Sequence, residues 1–324
     1  MSLVEEVLHV MTPAEWGKPI EVDAKWTEFT DENVKAREYA SMVALYKTLP
    51  KFVPQPIGCG LYASDPNIHF FICEFIEMTD DIPEVQAFVQ LLAELHTKGV
   101  SPNGKYGFGV HTYRGTIPQY TDWHDTWEEA FHHSMKWFVY AEEKSQGPDN
   151  EMRELCQGLF DKVIPRLLRP LETGGRQIQP RLIHGDIWSG NTSTNVETNT
   201  PIIYDGACLY AHNEMEMAAW RPVRHLLGRQ YMKAYFDYFP ISAPEEDFDD
   251  RNLLYYLRWD IKSSALFSGN LRYRNIRAKE TMRTLIANYP DGYEGWARKK
   301  GEVPVQRVYS PTSYHFLSHD DARL

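Results

Sequence analysis

Two short apolar runs, Leu182-Ile183 and Ile202-Ile203-Tyr204, bracket a polar loop that limits the possible folds more than any other feature of the chain. The loop reads His184-Gly185-Asp186-Ile187-Trp188-Ser189-Gly190-Asn191, and Asp205 closes the second run. Asp, Asn and Gly crowd any turn, so each residue alone is an ordinary turn former. Their order says more. The run ending at Ile183 reads as a strand feeding the loop. Residues 192–196 and 201–204 read as a hairpin about the Glu197–Thr200 turn. That hairpin predicts that Asn191 and Asp205 lie close together. Phosphoryl transfer needs such a set: one carboxylate orients a hydroxyl and accepts its proton, while an amide oxygen and a second carboxylate hold magnesium.

The periodicity around this centre changes once along the chain. Segment 19–26 alternates, with Ile20, Val22, Ala24 and Trp26 on one face and Glu21, Asp23 and Lys25 on the other, as in a half-buried strand. Val34, Met42, Val43, Leu45, Tyr46 and Leu49 follow at helical spacing, capped upstream by Thr30 or Asp31 and stopped by Pro50. A link punctuated by Pro54, Pro56, Gly58 and Gly60 leads to a strand pair whose second member runs from His69 to Ile76. From Glu84 the pattern is helical, with Val85, Phe88, Val89, Leu92 and Leu95 on one face. Residues 99–118 read as loop, 122–143 and 150–169 as helices, and the remainder to about 289 as mostly helical, broken by a proline-acid loop at 240–250. The expected fold is therefore α+β: a small lobe over 1–80, a mainly helical lobe over 81–300, a hinge near 77–84 and a tail over 301–324.

Bulk properties exclude several classes. The net charge of −11 and the absence of a basic stripe argue against nucleic acid. No uninterrupted apolar stretch approaches the roughly 20 residues that span a bilayer. Cys59, Cys73, Cys156 and Cys208 are scattered without zinc spacing, which suits free thiols in a reducing, cytoplasmic setting. The acids of the first six residues do not suit a signal peptide, and the final Ala322-Arg323-Leu324 is chemically similar to a peroxisomal address.

The loop HGDIWSGN and the later run YDGACLYAHNEMEMAAW resemble the catalytic region of the aminoglycoside phosphotransferase and choline kinase superfamily, and most closely its fructosamine kinase (ketosamine 3-kinase) branch. Further matches come in the branch's order: Leu91-Leu92-Ala93-Glu94-Leu95-His96, Tyr106-Gly107-Phe108, and Pro118-Gln119 with Trp123, Trp127 and Phe131. The resemblance spans roughly residues 18–290. It implies a bilobal protein-kinase-like fold and ATP- and magnesium-dependent phosphorylation of a ketosamine, free or on a glycated protein, in deglycation. It assigns Asp186 as catalytic base, Asn191 and Asp205 as magnesium ligands, and Trp188 and His184 to the acceptor. Glu214 and Glu216 have two readings, braces of the loop or exposed helix charges. For ATP, the resemblance implies a lysine held by a helix glutamate. Lys25 and Glu38, the latter in line with Val34, Met42 and Leu45, are the natural pair.

Two features depart from the branch. Only 24 residues precede Lys25, with Gly17 the sole glycine among them, so the small lobe is expected to be short and its phosphate-covering hairpin incomplete. Asp23 shares the strand face of Lys25, where a carboxylate would repel phosphates. Two rivals stay open beside the ketosamine kinase: a kinase for another small hydroxyl compound, and an inactive kinase-fold binding protein.

Overall fold

The computed structural model describes residues 34–62, 69–223 and 225–310. The expected strand at 19–26 with Lys25, the phosphate-covering hairpin and the C-terminal tripeptide lie outside the described residues.

Helix α1 (Val34–Thr48) ends at a 3-10 turn over Pro50–Phe52, because proline cannot donate the next helical hydrogen bond. Strands β1 (Pro56–Leu61) and β2 (His69–Cys73) then pair antiparallel. Helix α2 (Val85–Lys98) starts where the Glu84 carboxylate accepts the amides of Gln86 and Ala87 at 2.9 and 2.7 Å. Its face of Phe88, Val89, Leu92 and Leu95 is fully buried. At about 2 kcal/mol per side chain, that burial is the gross term holding α2 in place.

A tight hairpin follows, β3 (Tyr113–Arg114) with β4 (Ile117–Pro118), inside the stretch read as loop. Helix α3 (Trp127–Gln146) begins at Trp127 rather than 122, because the Thr126 hydroxyl caps it by accepting the Glu129 amide. Helices α4 (Asn150–Gly158) and α5 (Ile164–Leu168) are joined by a wider π turn. After the catalytic region come α6 (Arg229–Tyr235), α7 (Phe248–Leu266), α8 (Lys279–Asn288) and α9 (Gly292–Lys300). Helices α3 and α7 cross in the larger core, where the Trp127 indole donates to the Tyr255 hydroxyl at 2.8 Å.

A second core joins Met42, Leu45 and Leu49 of α1 to Phe88 and Leu92 of α2, and to Leu182, Ile187, Trp220 and Tyr231. Residues on both sides of the 77–84 segment thus share one apolar cluster. Cys156 and Cys208 are buried, Cys59 and Cys73 half-buried, and all four are free thiols. Among the described residues no helix is long and apolar enough to cross a membrane.

Candidate active site

Four short strands build the site as a hairpin nested within a pair. Strand β5 (Arg181–Ile183) pairs with β8 (Leu209–Ala211), and between them β6 (Thr192–Thr194) pairs with β7 (Pro201–Ile203). This nesting sets loop 184–191 beside loop 204–208. The amide of Tyr204 donates to the Asn191 carbonyl at 3.2 Å, and that of Ala207 to the His184 carbonyl at 2.9 Å. Gly185 has φ +80, and a Cβ there would sit 2.2 Å from the Ala207 carbonyl oxygen. Only glycine lets the loops approach so closely. Asp205, at the start of the second loop, takes φ +59, a conformation side chains other than Asn and Asp seldom adopt.

Asp186 is partly exposed, at 22% of its side chain. Its Oδ1 accepts from Arg114 through Nε at 3.2 Å and Nη2 at 2.7 Å. Burial alone would raise its pKa, but the Arg114 guanidinium, the Lys262 ammonium and their field lower it overall, so the carboxylate stays ionised. The Asn191 side-chain amide donates to the Asp186 carbonyl at 3.0 Å and reaches Oδ2 at 3.4 Å. That orientation leaves the Asn191 side-chain oxygen free to face a cation. An amide oxygen at Asn191 and a carboxylate at Asp205 are the hard-oxygen types that suit magnesium, which takes few protein ligands and keeps several waters.

Trp188 is 39% exposed, so it is not a core tryptophan. Its ring lies over Gly190, where any Cβ would come within 2.5 Å of it. His184, expected at the acceptor, is corrected: it is fully buried. Its Nε2 donates to the Tyr204 carbonyl at 2.8 Å and its Nδ1 accepts the Asp186 amide at 3.3 Å. Nε2 ties the two loops together, and Nδ1 braces the turn at Asp186 within its own loop. Glu38 lies half-buried on α1.

Neither Glu214 nor Glu216 is an exposed charge. Glu216 accepts the His184 amide on Oε2 at 2.5 Å and the Gly185 amide on Oε1 at 2.9 Å, bracing the loop just before Asp186. Glu214 instead pairs with Arg251 at 2.9 Å and accepts the Ser242 amide at 2.8 Å. Sequence reasoning missed Arg114, hidden in the stretch read as loop. It also gave Gln119 no role, although its Nε2 donates to the Ala207 carbonyl at 3.0 Å and its Oε1 accepts from Arg258 at 2.7 Å.

This fold, with its nested strands and helical lobe, is that of the kinase-like small-molecule phosphotransferases. A fructosamine-3-kinase candidate from Thermobifida fusca superposes with a TM-score of 0.63 over 82% of this chain and 85% of that one, at 20% identity. The aminoglycoside phosphotransferase APH(2")-IIa, in its streptomycin–ATP ternary complex, superposes with a TM-score of 0.56 over 88% and 98%, at 12% identity. The family profile named fructosamine kinase matches residues 24–288, and the chain belongs to that family. Protein-ribulosamine 3-kinase, chloroplastic, from Oryza sativa subsp. indica is 30% identical over 220 residues, covering 68% of this chain and 60% of that protein. The chain thus spans less than two thirds of the length of that relative.

Proposed function

We propose that the chain transfers the γ-phosphoryl group of ATP to a hydroxyl of a ketosamine, free or carried on a glycated protein. The observation that carries this reading is the pairing of loops 184–191 and 204–208, in which backbone hydrogen bonds join the loop of Asp186 and Asn191 to the loop that carries Asp205. Family membership and the ATP-bound fold relative support it. In this reading residues up to about 80 serve the nucleotide and residues 81–300 carry the chemistry.

Arg114 occupies Oδ1 of Asp186, so Oδ2 receives the acceptor hydroxyl. As the acceptor hydroxyl oxygen attacks the γ-phosphorus, the bond from that phosphorus to the β,γ-bridging oxygen breaks and ADP leaves. The hydroxyl proton passes to Asp186. A carboxylate with a low pKa is a weak base, so its main contribution is aim, with proton acceptance late in a loose transition state. Asn191 and Asp205 would hold magnesium, which neutralises charge on the phosphates. Trp188 offers an aromatic face to the C–H face of the sugar. The free thiols support a reducing compartment such as the cytoplasm.

The test is ADP release with ATP, magnesium and a ketosamine panel set against amino alcohols. Ketosamine-dependent release that Asp186→Asn abolishes, with the melting temperature preserved, is expected. Equal release by the variant would remove Asp186 from its role. A preference for amino alcohols would replace the acceptor class.

A further inference from the structure

The wall around Asp186 carries more positive charge than Asp186 can balance. Arg114, Arg258 and Lys262 are 1%, 2% and 8% exposed. Arg258 and Lys262 stand one turn apart on α7, and the Arg114 guanidinium lies 3.6 Å above the ring of Trp259 between them. Arg114 pairs with Asp186. Among the described residues Arg258 binds neutral groups only, Gln119 and Ser134, and rests on the Phe138 ring. Lys262 has the Trp259 ring at 4.9 Å, and among the described residues no carboxylate lies within ion-pair distance of it. Asp260, the nearest acid on α7, is occupied by Arg277. Among the described residues, three buried cations therefore gather about one carboxylate, in a chain whose net charge is −11.

Burying a cation without a counter-charge is costly, so such an arrangement persists where a ligand supplies the charge. Burial, and then the repulsion of Arg114, lowers the Lys262 pKa to about 8, so a bound anion would restore its full charge. Arg114 gives Nε and Nη2 to Asp186, which leaves its Nη1 side as the donor suited to a further carboxylate or phosphate oxygen.

We propose that Lys262 and Arg114, backed by Arg258, form an anion-binding subsite, and that the acceptor phosphorylated beside Asp186 carries a carboxylate or phosphate group of its own. This rests on the proposed kinase reading and narrows it to an anionic ketosamine. The carboxylate would come from an amino-acid amine, the phosphate from a sugar phosphate.

The experiment compares three acceptors with ATP and magnesium: a neutral ketosamine, one bearing an amino-acid carboxylate and one bearing a sugar phosphate. A preference of about tenfold or more in kcat/KM for an anionic acceptor is expected, and whichever anion is preferred identifies its source. Lys262→Met should collapse that preference through acceptor KM, Lys262→Arg should restore part of it, and KM for ATP should stay within about twofold. Equal turnover of neutral and anionic acceptors overturns the subsite. A rise in KM for ATP alone also overturns it, because the cations would then serve the nucleotide. A binding arm stands apart from catalysis: inorganic phosphate at matched ionic strength should raise the melting temperature of the wild type but not of Lys262→Met. No rise in the wild type overturns the proposal even if every acceptor is inert, an inert panel itself counting only against the kinase reading.

Discussion

Replacing Glu216 by Gln tests how the loop is aimed. Both carboxylate oxygens are committed, Oε2 to the His184 amide and Oε1 to the Gly185 amide, and the side chain is buried. Glutamine keeps the shape but has one acceptor oxygen, so its amide nitrogen must face a backbone N–H. One charge-assisted bond is lost, at about 2 kcal/mol, and the survivor weakens by about 1 kcal/mol. Relief from burying a charge offsets part of this, leaving a net loss of about 2 kcal/mol. That corresponds to a drop of roughly 3 °C in melting temperature for a chain of this size. The next residue is Asp186, so kcat should fall about tenfold or more, beyond what lost folded protein explains. Urea unfolding and single-turnover kinetics on the same preparation separate the two effects. A variant within about 0.5 kcal/mol of wild type, with unchanged kcat, would refute the reasoning.

Trp188→Ala should raise acceptor KM about tenfold with little change in stability or in KM for ATP, since the ring is exposed and packs mainly on Gly190. A loss of several degrees in melting temperature without a KM effect would make it a structural residue. Acid should weaken the fold through His212. Burial lowers its pKa to about 4, although Glu214 pulls the other way. Between roughly pH 6.5 and 4 the unfolded chain binds a proton that the folded one refuses. Stability therefore falls with falling pH, by up to about 3 kcal/mol from this group. His212→Gln, able to keep the bonds to Tyr255 and Ser242, should flatten that slope; an unchanged slope would remove His212 as its cause.

The strand–loop–hairpin at 181–205 was legible because its signals are local: short apolar runs, turn residues and fixed spacing. Helices α1 and α2 were legible from their apolar spacing, and the end of α1 from Pro50. What escaped was long-range pairing. Arg114 reaches Asp186 across 72 positions, and no periodicity marks a two-residue strand. Helix α7 buries Arg251, Arg258, Asp260 and Lys262, so its polar residues do not trace a solvent face. The tail beyond residue 300 has no repeating pattern, yet Arg307 pairs with Glu128 at 2.9 Å and Glu302 with Arg176 at 2.8 Å. Such contacts follow from where the chain ends up, not from its local composition. His184 was misplaced for a related reason: a ring next to a reactive loop can tie its backbone instead of meeting the substrate.

The most direct test of the whole account follows the phosphorus itself. Wild-type protein with ATP, magnesium and a ketosamine should produce, by phosphorus NMR, a new phosphate-ester signal coupled to the sugar 3-hydroxyl carbon proton, and Asp186→Asn should produce none. An ester signal of equal size from the variant would contradict it. So would ATP consumption that yields only inorganic phosphate whichever acceptor is present.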